Sequence, residues 1–293
     1  MMNILILYFS GTGNTEFVAR YIKQKFKSDN TEVTISPIES FKKETISHYD
    51  ILFFGFPVYA CDVPQFIKNY LQDVPVTKTK AVFVFCTKAF YTGLAMQNAL
   101  KIFCERGYIG LGYTDVNMPG SDGLAFLKKD SRAVRKIVNK DFSNLKEIDE
   151  MIKISKSLIE GFEKSNIKQC NTNENPTITK YLASKLLESV FHIVEEKMKR
   201  KFWANESCTR CLKCEKICPA RNIKVNKEGV KFGESCYLCM RCLHQCPKEA
   251  IQIGKKTIGK YRWKGPVQDY NPLKIMRDRK TNINIKQRMK DKI

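Results

Sequence analysis

The sequence predicts a doubly wound parallel α/β domain followed by a small cysteine-rich domain. Three observations carry that expectation. Apolar runs of strand length alternate with amphipathic helical segments through residue 164, the first run ends in a turn of glycines and hydroxyl residues, and residues 208–247 spell one cysteine pattern twice. At 293 residues the chain has room for about two domains and a sizeable core.

Residues 3–9 form the first predicted strand, a continuous apolar run that stops at a turn. A helix over residues 14–28 follows, with Phe17, Val18, Tyr21, Ile22 and Phe26 on one face. Further strands are predicted at 31–37, 50–56, 80–86 and 110–117, and further helices at 64–72, 93–106 and 143–164. Strands separated by helices imply parallel βαβ units. Gly107 follows the helix-ending Arg106 and reads as a C-cap, not as part of a nucleotide loop with Gly110 and Gly112. Residues 119–144 make a longer connection with no assigned element, and residues 165–176 are polar and turn-rich, as a linker is.

Across residues 177–201, Ile178, Tyr181, Leu182, Leu186, Val190, Phe191, Val194 and Met198 recur at helical spacing. The expectation is an amphipathic helix docked between the domains, with membrane contact as the alternative. Its basic end, Lys197 with Lys199, Arg200 and Lys201, complements the helix dipole. His192 on this helix, like His48 and His244, has no companion at ligand spacing and reads as ordinary packing.

The turn after the first strand reads Ser10, Gly11, Thr12, Gly13, Asn14, Thr15, Glu16. A strand, a glycine-rich turn and a helix N-terminus make an anion site, because free backbone N–H groups and the helix dipole favour a phosphate there. The loop lacks the Gly-Lys-Ser/Thr ending of a triphosphate loop and the Gly-x-Gly-x-x-Gly of a dinucleotide fold. Its hydroxyl and amide side chains suit a phosphate monoester held without lysine or arginine.

The repeated pattern is Cys208, Cys211, Cys214 and Cys218 before Pro219, then Cys236, Cys239, Cys242 and Cys246 before Pro247. The same offset aligns Ile223 with Ile251, so a whole structural unit is duplicated. Zinc modules usually set two close cysteine pairs apart by a longer span, which this spacing does not do. A disulfide framework belongs to an oxidising compartment, whereas Cys61, Cys86, Cys104 and Cys170 are scattered singly and no secretory segment is read. Two iron-sulfur clusters are the direct reading. In such a run the last cysteine serves the other cluster. One cluster is therefore assigned Cys208, Cys211, Cys214 and Cys246, and the other Cys236, Cys239, Cys242 and Cys218.

Lys and Arg number 51 against 30 Asp and Glu, a formal charge of +21, and residues 254–293 alone hold thirteen Lys or Arg and three Asp. No apolar run approaches the roughly 18 residues of a membrane span. The expectation is a cytoplasmic protein with no membrane span. Lys260, Tyr261, Arg262, Trp263 and Lys264 interleave bases with aromatics, yet no recognition helix, finger or stacking sheet accompanies them, so no specific nucleic acid is expected. An electrostatic dock for external redox proteins with acidic surfaces is expected instead, and a solvated tail over residues 276–293. Oligomeric state is not legible.

The stretch from Tyr8 through Glu16 resembles the FMN phosphate loop of flavodoxins. Residues 50–59 resemble the third strand and first flavin loop of that family, and residues 80–93 the fourth strand and second flavin loop. The resemblance implies strand order 2-1-3-4-5 and an FMN site of Ser10, Gly11, Thr12, Gly13, Asn14, Thr15, Pro57, Val58, Tyr59, Thr87, Lys88, Phe90, Tyr91 and Gly93. Lys88 departs from an often acidic second loop and reads either as a solvated residue or as a charge favouring reduced flavin.

The chain as a whole resembles the flavodoxin-ferredoxin fusion proteins of anaerobes. That implies FMN, two [4Fe-4S] clusters, and four segments: a flavodoxin-like FMN domain (1–165), a linker and connecting helix (166–202), a small α+β bacterial-type 2[4Fe-4S] ferredoxin domain (203–254) and a basic extension (255–293). The function expected is an oxidoreductase-type relay of electrons between clusters, FMN and external partners. Two alternatives stay open: an FMN-dependent reductase of a small organic substrate, with Tyr59, Tyr91 and Lys88 as the candidate acids, and a basic tail that binds membrane or nucleic acid.

Overall fold

The computed structural model describes residues 2–26, 31–142, 146–164 and 178–277. The predicted linker with Cys170, residues 27–28 and 143–145 of two predicted helices, and residues 278–293 of the tail lie outside the described residues. The chain divides into two compact units: Met1–Ser10, Thr15–Met118 and Phe142–Phe191 form the first, and Gly11–Asn14, Pro119–Asp141 and His192–Ile293 the second.

The first unit is built on strands β1 (Met2–Tyr8), β2 (Thr31–Pro37), β3 (Ile51–Pro57), β4 (Ala81–Lys88) and β5 (Ile109–Asn117). They form one sheet in the order β2-β1-β3-β4-β5, every pair parallel. Helices α1 (Asn14–Phe26), α2 (Gln65–Gln72) and α3 (Ala95–Glu105) connect them, as the alternating pattern predicts. Ile6 of β1 lies opposite Ile35 on one side and Phe53 on the other, and Phe53 lies opposite Phe83.

The central strands are buried along almost their whole length, because helices cover both faces of the sheet. Successive side chains of β3 show this directly. Phe53 packs on Phe26 of α1 at 5.2 Å between ring centroids, while Phe54 turns the other way to meet Tyr70 of α2 at 6.1 Å and Phe103 of α3 at 5.4 Å. The β4–β5 pairing slips between Val82 and Phe83, leaving Leu111 as the extra residue of a bulge.

After β5 come two short helices, α4 (Ser121–Leu124) and α5 (Arg132–Val138), then α6 (Lys146–Lys164) and α7 (Ile178–Lys199). The Tyr21 hydroxyl of α1 donates to Asp149 of α6 at 2.7 Å, so these two helices share a face. Residues 119–141 were expected in the first domain but pack with the second unit: Ala125 is wholly buried in its core, and the Tyr261 N–H donates to the Leu127 carbonyl at 3.0 Å. Cys104, read from the sequence as a single cysteine, is disulfide-bonded.

Met198 packs on the core of the second unit, but Leu182, Leu186, Val190 and Ile193 are half to two-thirds exposed.

The second unit contains β6 (Phe202–Ala204), α8 (Lys213–Ile217), β7 (Ile223–Asn226), β8 (Gly229–Phe232), α9 (Arg241–Gln245) and β9 (Ile251–Ile253). β6 pairs antiparallel with β9, and β7 with β8. The sequence repeat is a repeat of backbone. α8 maps onto α9 and the start of β7 onto the start of β9 at the offset that relates Cys208 to Cys236. Left-handed residues recur at that offset too: Arg210, Leu212 and Arg221 pair with Leu238, Met240 and Glu249, all with φ between 49° and 63°. The core is small, with Phe202, Leu238, Met240, Leu243, Ile251 and Ile253 at its centre and Cys214, Cys236, Cys242 and Cys246 packed against it.

Candidate cofactor sites

The three loops assigned to flavin follow β1, β3 and β4, which are neighbours in the sheet, and each leaves from a strand's carboxyl end. The chain order reverses between β1 and β3, the place where doubly wound sheets bind ligands.

In the first loop, Ser10, Thr12 and Thr15 are buried and α1 begins at Asn14. Gly13 has φ +102°, a conformation that admits no side chain without strain. The Thr15 hydroxyl shares a hydrogen bond of 2.9 Å with that of Thr87 on β4, and the Asn14 amide donates to the Pro119 carbonyl at 2.7 Å. Helix N-terminus, hydroxyls and unsubstituted glycine fit the phosphate of FMN.

The second and third loops are joined at their roots, where the Val58 N–H donates to the Thr87 carbonyl at 3.0 Å. Beyond Pro57, Val58 and Tyr59, which are half-buried, the chain makes a tight turn through Ala60 and Cys61, both left-handed, closed by paired backbone hydrogen bonds between Tyr59 and Asp62. Gly93 lies so close to this turn that a Cβ there would stand 2.0 Å from the Cys61 carbonyl oxygen. Phe90 is 92% exposed, an apolar ring suited to cover a flavin. The Tyr91 hydroxyl bonds to that of Ser184 at 3.0 Å. Lys88 is neither a solvated residue nor an uncompensated charge: it pairs with Asp115 at 2.9 Å.

In the second unit, Cys208, Cys211, Cys214 and Cys246 line one cavity, and Cys218, Cys236, Cys239 and Cys242 line another. Among the described residues no three His, Cys, Asp or Glu side chains close on one point as a single metal ion requires. Burial pushes the Cys214 thiol up to about 11 and that of Cys239 to about 12, and raises Cys236 and Cys242 as well. Such thiols give up their protons only to a compensating cation. Backbone N–H groups of Asn222 and Ala250 reach the sulfurs of Cys218 and Cys246 at 3.3 and 3.2 Å, again equivalent positions in the two halves. The two cavities differ in access. Cys211 and Leu212 are exposed at the rim of the first, whereas Cys218 and Cys239 are buried and the second is backed by Arg241, a fully buried guanidinium.

His244, read as ordinary packing, is a buried connector. Its Nδ1 accepts from the Trp263 N–H at 3.0 Å, which leaves Nε2 as the donor to the Ser121 carbonyl at 2.8 Å and the ring neutral. Burial depresses its pKa to about 3. The basic and aromatic run after the second cysteine series is no surface patch. Arg262 and Trp263 are buried, Arg262 donates to Gln252 at 2.9 Å, and Lys264 donates to the His244 carbonyl at 2.7 Å. Met276, placed in the solvated tail, is buried as well.

Comparison with known proteins separates the same two parts. Residues 5–103 match the Flavodoxin domain family, and residues 206–257 match the LdpA Fe-S cluster-binding domain family. A flavodoxin of Clostridium saccharobutylicum is 33% identical over 73 residues, 25% of this chain, and the chain spans 46% of that relative's length. Solved structures with a similar chain course include the Streptococcus pneumonia TIGR4 flavodoxin, at 15% identity over 54% of this chain and 99% of that one, TM-score 0.42. The two-electron reduced flavodoxin of Megasphaera elsdenii is another, at 19% identity over 53% of this chain and 98% of that one, TM-score 0.39. The chain thus carries a flavodoxin domain followed by an Fe-S cluster-binding domain, the composition of a redox protein.

Sequence reasoning passed over Asp62, although a lone acid after the apolar run of residues 51–61 marks it. It is 3% exposed, with one carboxylate oxygen accepting from Asn98 at 2.8 Å and the other from Lys68. Burial alone would raise its pKa, but hydrogen bonds from Lys68, Asn98 and the Val63 backbone outweigh it and hold the carboxyl below its ordinary value. Asp62→Ala should therefore destabilise the chain by about 2–3 kcal/mol in urea denaturation. A lowered pKa means that this contribution is complete above pH about 4 and disappears as the pH falls through the value in the folded protein. A loss under about 0.5 kcal/mol at neutral pH would show that the network does not hold the turn.

Proposed function

We propose that this chain is an electron carrier in which FMN and two [4Fe-4S] clusters exchange electrons with each other and with external redox proteins. The observation that carries the reading is the sorting of eight cysteines into two sets of four, each drawing its fourth member from the other half of the repeat. A second domain of the bacterial 2[4Fe-4S] ferredoxin type follows from the same sorting. Clusters move electrons singly while FMN takes one or two, so a chain with both can interconvert single and paired transfers.

The residues have distinct tasks in this reading. The loop of Ser10 to Thr15 binds the phosphate through backbone N–H groups and hydroxyls. Pro57, Val58, Tyr59, Phe90 and Tyr91 would line the flavin ring. Lys88, neutralised by Asp115, brings no net charge to the ring. The N–H groups of Asn222 and Ala250 stabilise the thiolates of Cys218 and Cys246.

Electrons enter or leave through the first cysteine set, the one near the surface. Arg210, Lys213 and Lys248 border its cavity, which suits an acidic partner in the cytoplasm. Changing all three to Glu should slow reduction by an acidic donor protein about tenfold or more at low ionic strength, with the gap closing as salt is added. An unchanged, salt-independent rate would place the port elsewhere.

Anaerobically purified protein should contain about eight irons and one FMN per chain. Cys211→Ala and Cys239→Ala should each remove about half of the iron, from different clusters distinguishable by electron paramagnetic resonance. Zinc in place of iron, or complete loss of iron from either variant with the chain still folded, would defeat the assignment.

A further inference from the structure

Residues 11–14 of the phosphate loop group with the second unit, and a single stretch of that unit holds them. Trp263 is 3% exposed, and its indole N–H donates to Asn14 Oδ1 at 3.0 Å. Because Asn14 Nδ2 donates to the Pro119 carbonyl at 2.7 Å, both ends of this amide are fixed. Tyr270, also buried, lies over Gly13, where a Cβ would come within 2.9 Å of Tyr270 Cβ and 3.3 Å of Gly265 Cα. Gly265 in turn abuts the Thr12 carbonyl oxygen, 3.4 Å from where its own Cβ would stand.

The stretch is anchored at its far side on α9. The Trp263 N–H donates to His244, and the Tyr270 ring faces the Arg241 guanidinium at 5.9 Å. Both anchors stand beside cysteines of the repeat, Arg241 next to Cys242 and His244 two residues from Cys246. A glycine and hydroxyl turn ahead of a helix needs none of these contacts to form. They bear instead on where the loop's backbone N–H groups and the Asn14 amide point.

We infer that residues 263–270 are a clamp on the phosphate loop, and that Trp263 is a positioning residue that sets the affinity for FMN by holding Asn14. The inference rests on the flavin reading above. It adds that flavin affinity is set partly by residues 263–270, a stretch remote in sequence from the loop it holds.

The test uses the full chain, with clusters intact and flavin stripped, titrated anaerobically with FMN and followed by flavin fluorescence. Trp263→Phe keeps an aromatic ring and loses the indole N–H. It should weaken FMN binding about five- to tenfold, with iron content and cluster spectrum unchanged. Val267→Ala, at a position 52% exposed in the same stretch, should bind as the parent does. If Trp263 acts through Asn14, its effect should vanish in an Asn14→Ala background, a non-additivity that general loosening would not give.

Equal affinity in the parent and Trp263→Phe overturns the clamp while leaving FMN binding in place. A parent chain that binds no FMN ends the flavin reading and the clamp with it. Should Trp263→Phe fail to fold, hydrogen exchange on the parent decides: FMN should slow exchange across residues 261–270, and identical exchange with and without FMN overturns the inference.

Discussion

In each half of the repeat, three cysteines separated by two residues each line one cavity and the backbone between them turns left-handed, and the second unit is organised around those turns. Arg210 and Leu212 make the turns in the first half, Leu238 and Met240 in the second. None of the four is glycine, and a left-handed side-chain-bearing residue costs roughly 1–2 kcal/mol. With strands of three or four residues and a small apolar centre, the unit has little else to offset that strain. What offsets it in the proposed reading is the bond from each thiolate to iron, so that cluster binding and folding are one event.

The same constraint bears on the charge. A thiolate buried as Cys239 is cannot exist without nearby positive charge, and Arg241 stands fully buried two residues from it. Arg262 is buried in the same unit. Part of the formal charge of +21 is therefore spent inside the molecule, next to cofactors that the proposed reading makes anionic. The interleaved basic and aromatic run looked like a surface patch in the sequence, yet its Arg262 and Trp263 are interior in the structure.

What could be read in advance follows from periodicity and local spacing. The strands of the first unit were placed within one or two residues because buried parallel strands read as unbroken apolar runs, and the cysteine repeat declared its own offset. Three features could not be read. Residues 119–141 carry no strong period, and long-range contacts assign them to the second unit: Ala125 shares a core with Leu238 and Leu243, and Leu127 accepts from the Tyr261 N–H. His244 has no ligand-spaced neighbour, yet long-range bonds to Trp263 and Ser121 make it a fixed connector. Asn14 looked like a phosphate ligand, and its partners, Pro119 and Trp263, are remote in sequence. In each case the decisive contact spans a distance that no local pattern encodes.

The central claim is that one chain passes electrons between clusters and flavin. It is tested most directly by reducing the anaerobic full-length protein with less than one equivalent of dithionite and following cluster and flavin absorbance separately after mixing. The account predicts that both signals relax together to a shared equilibrium, at a rate independent of protein concentration. Clusters and flavin that settle independently, or that equilibrate only by collision between molecules, would contradict it.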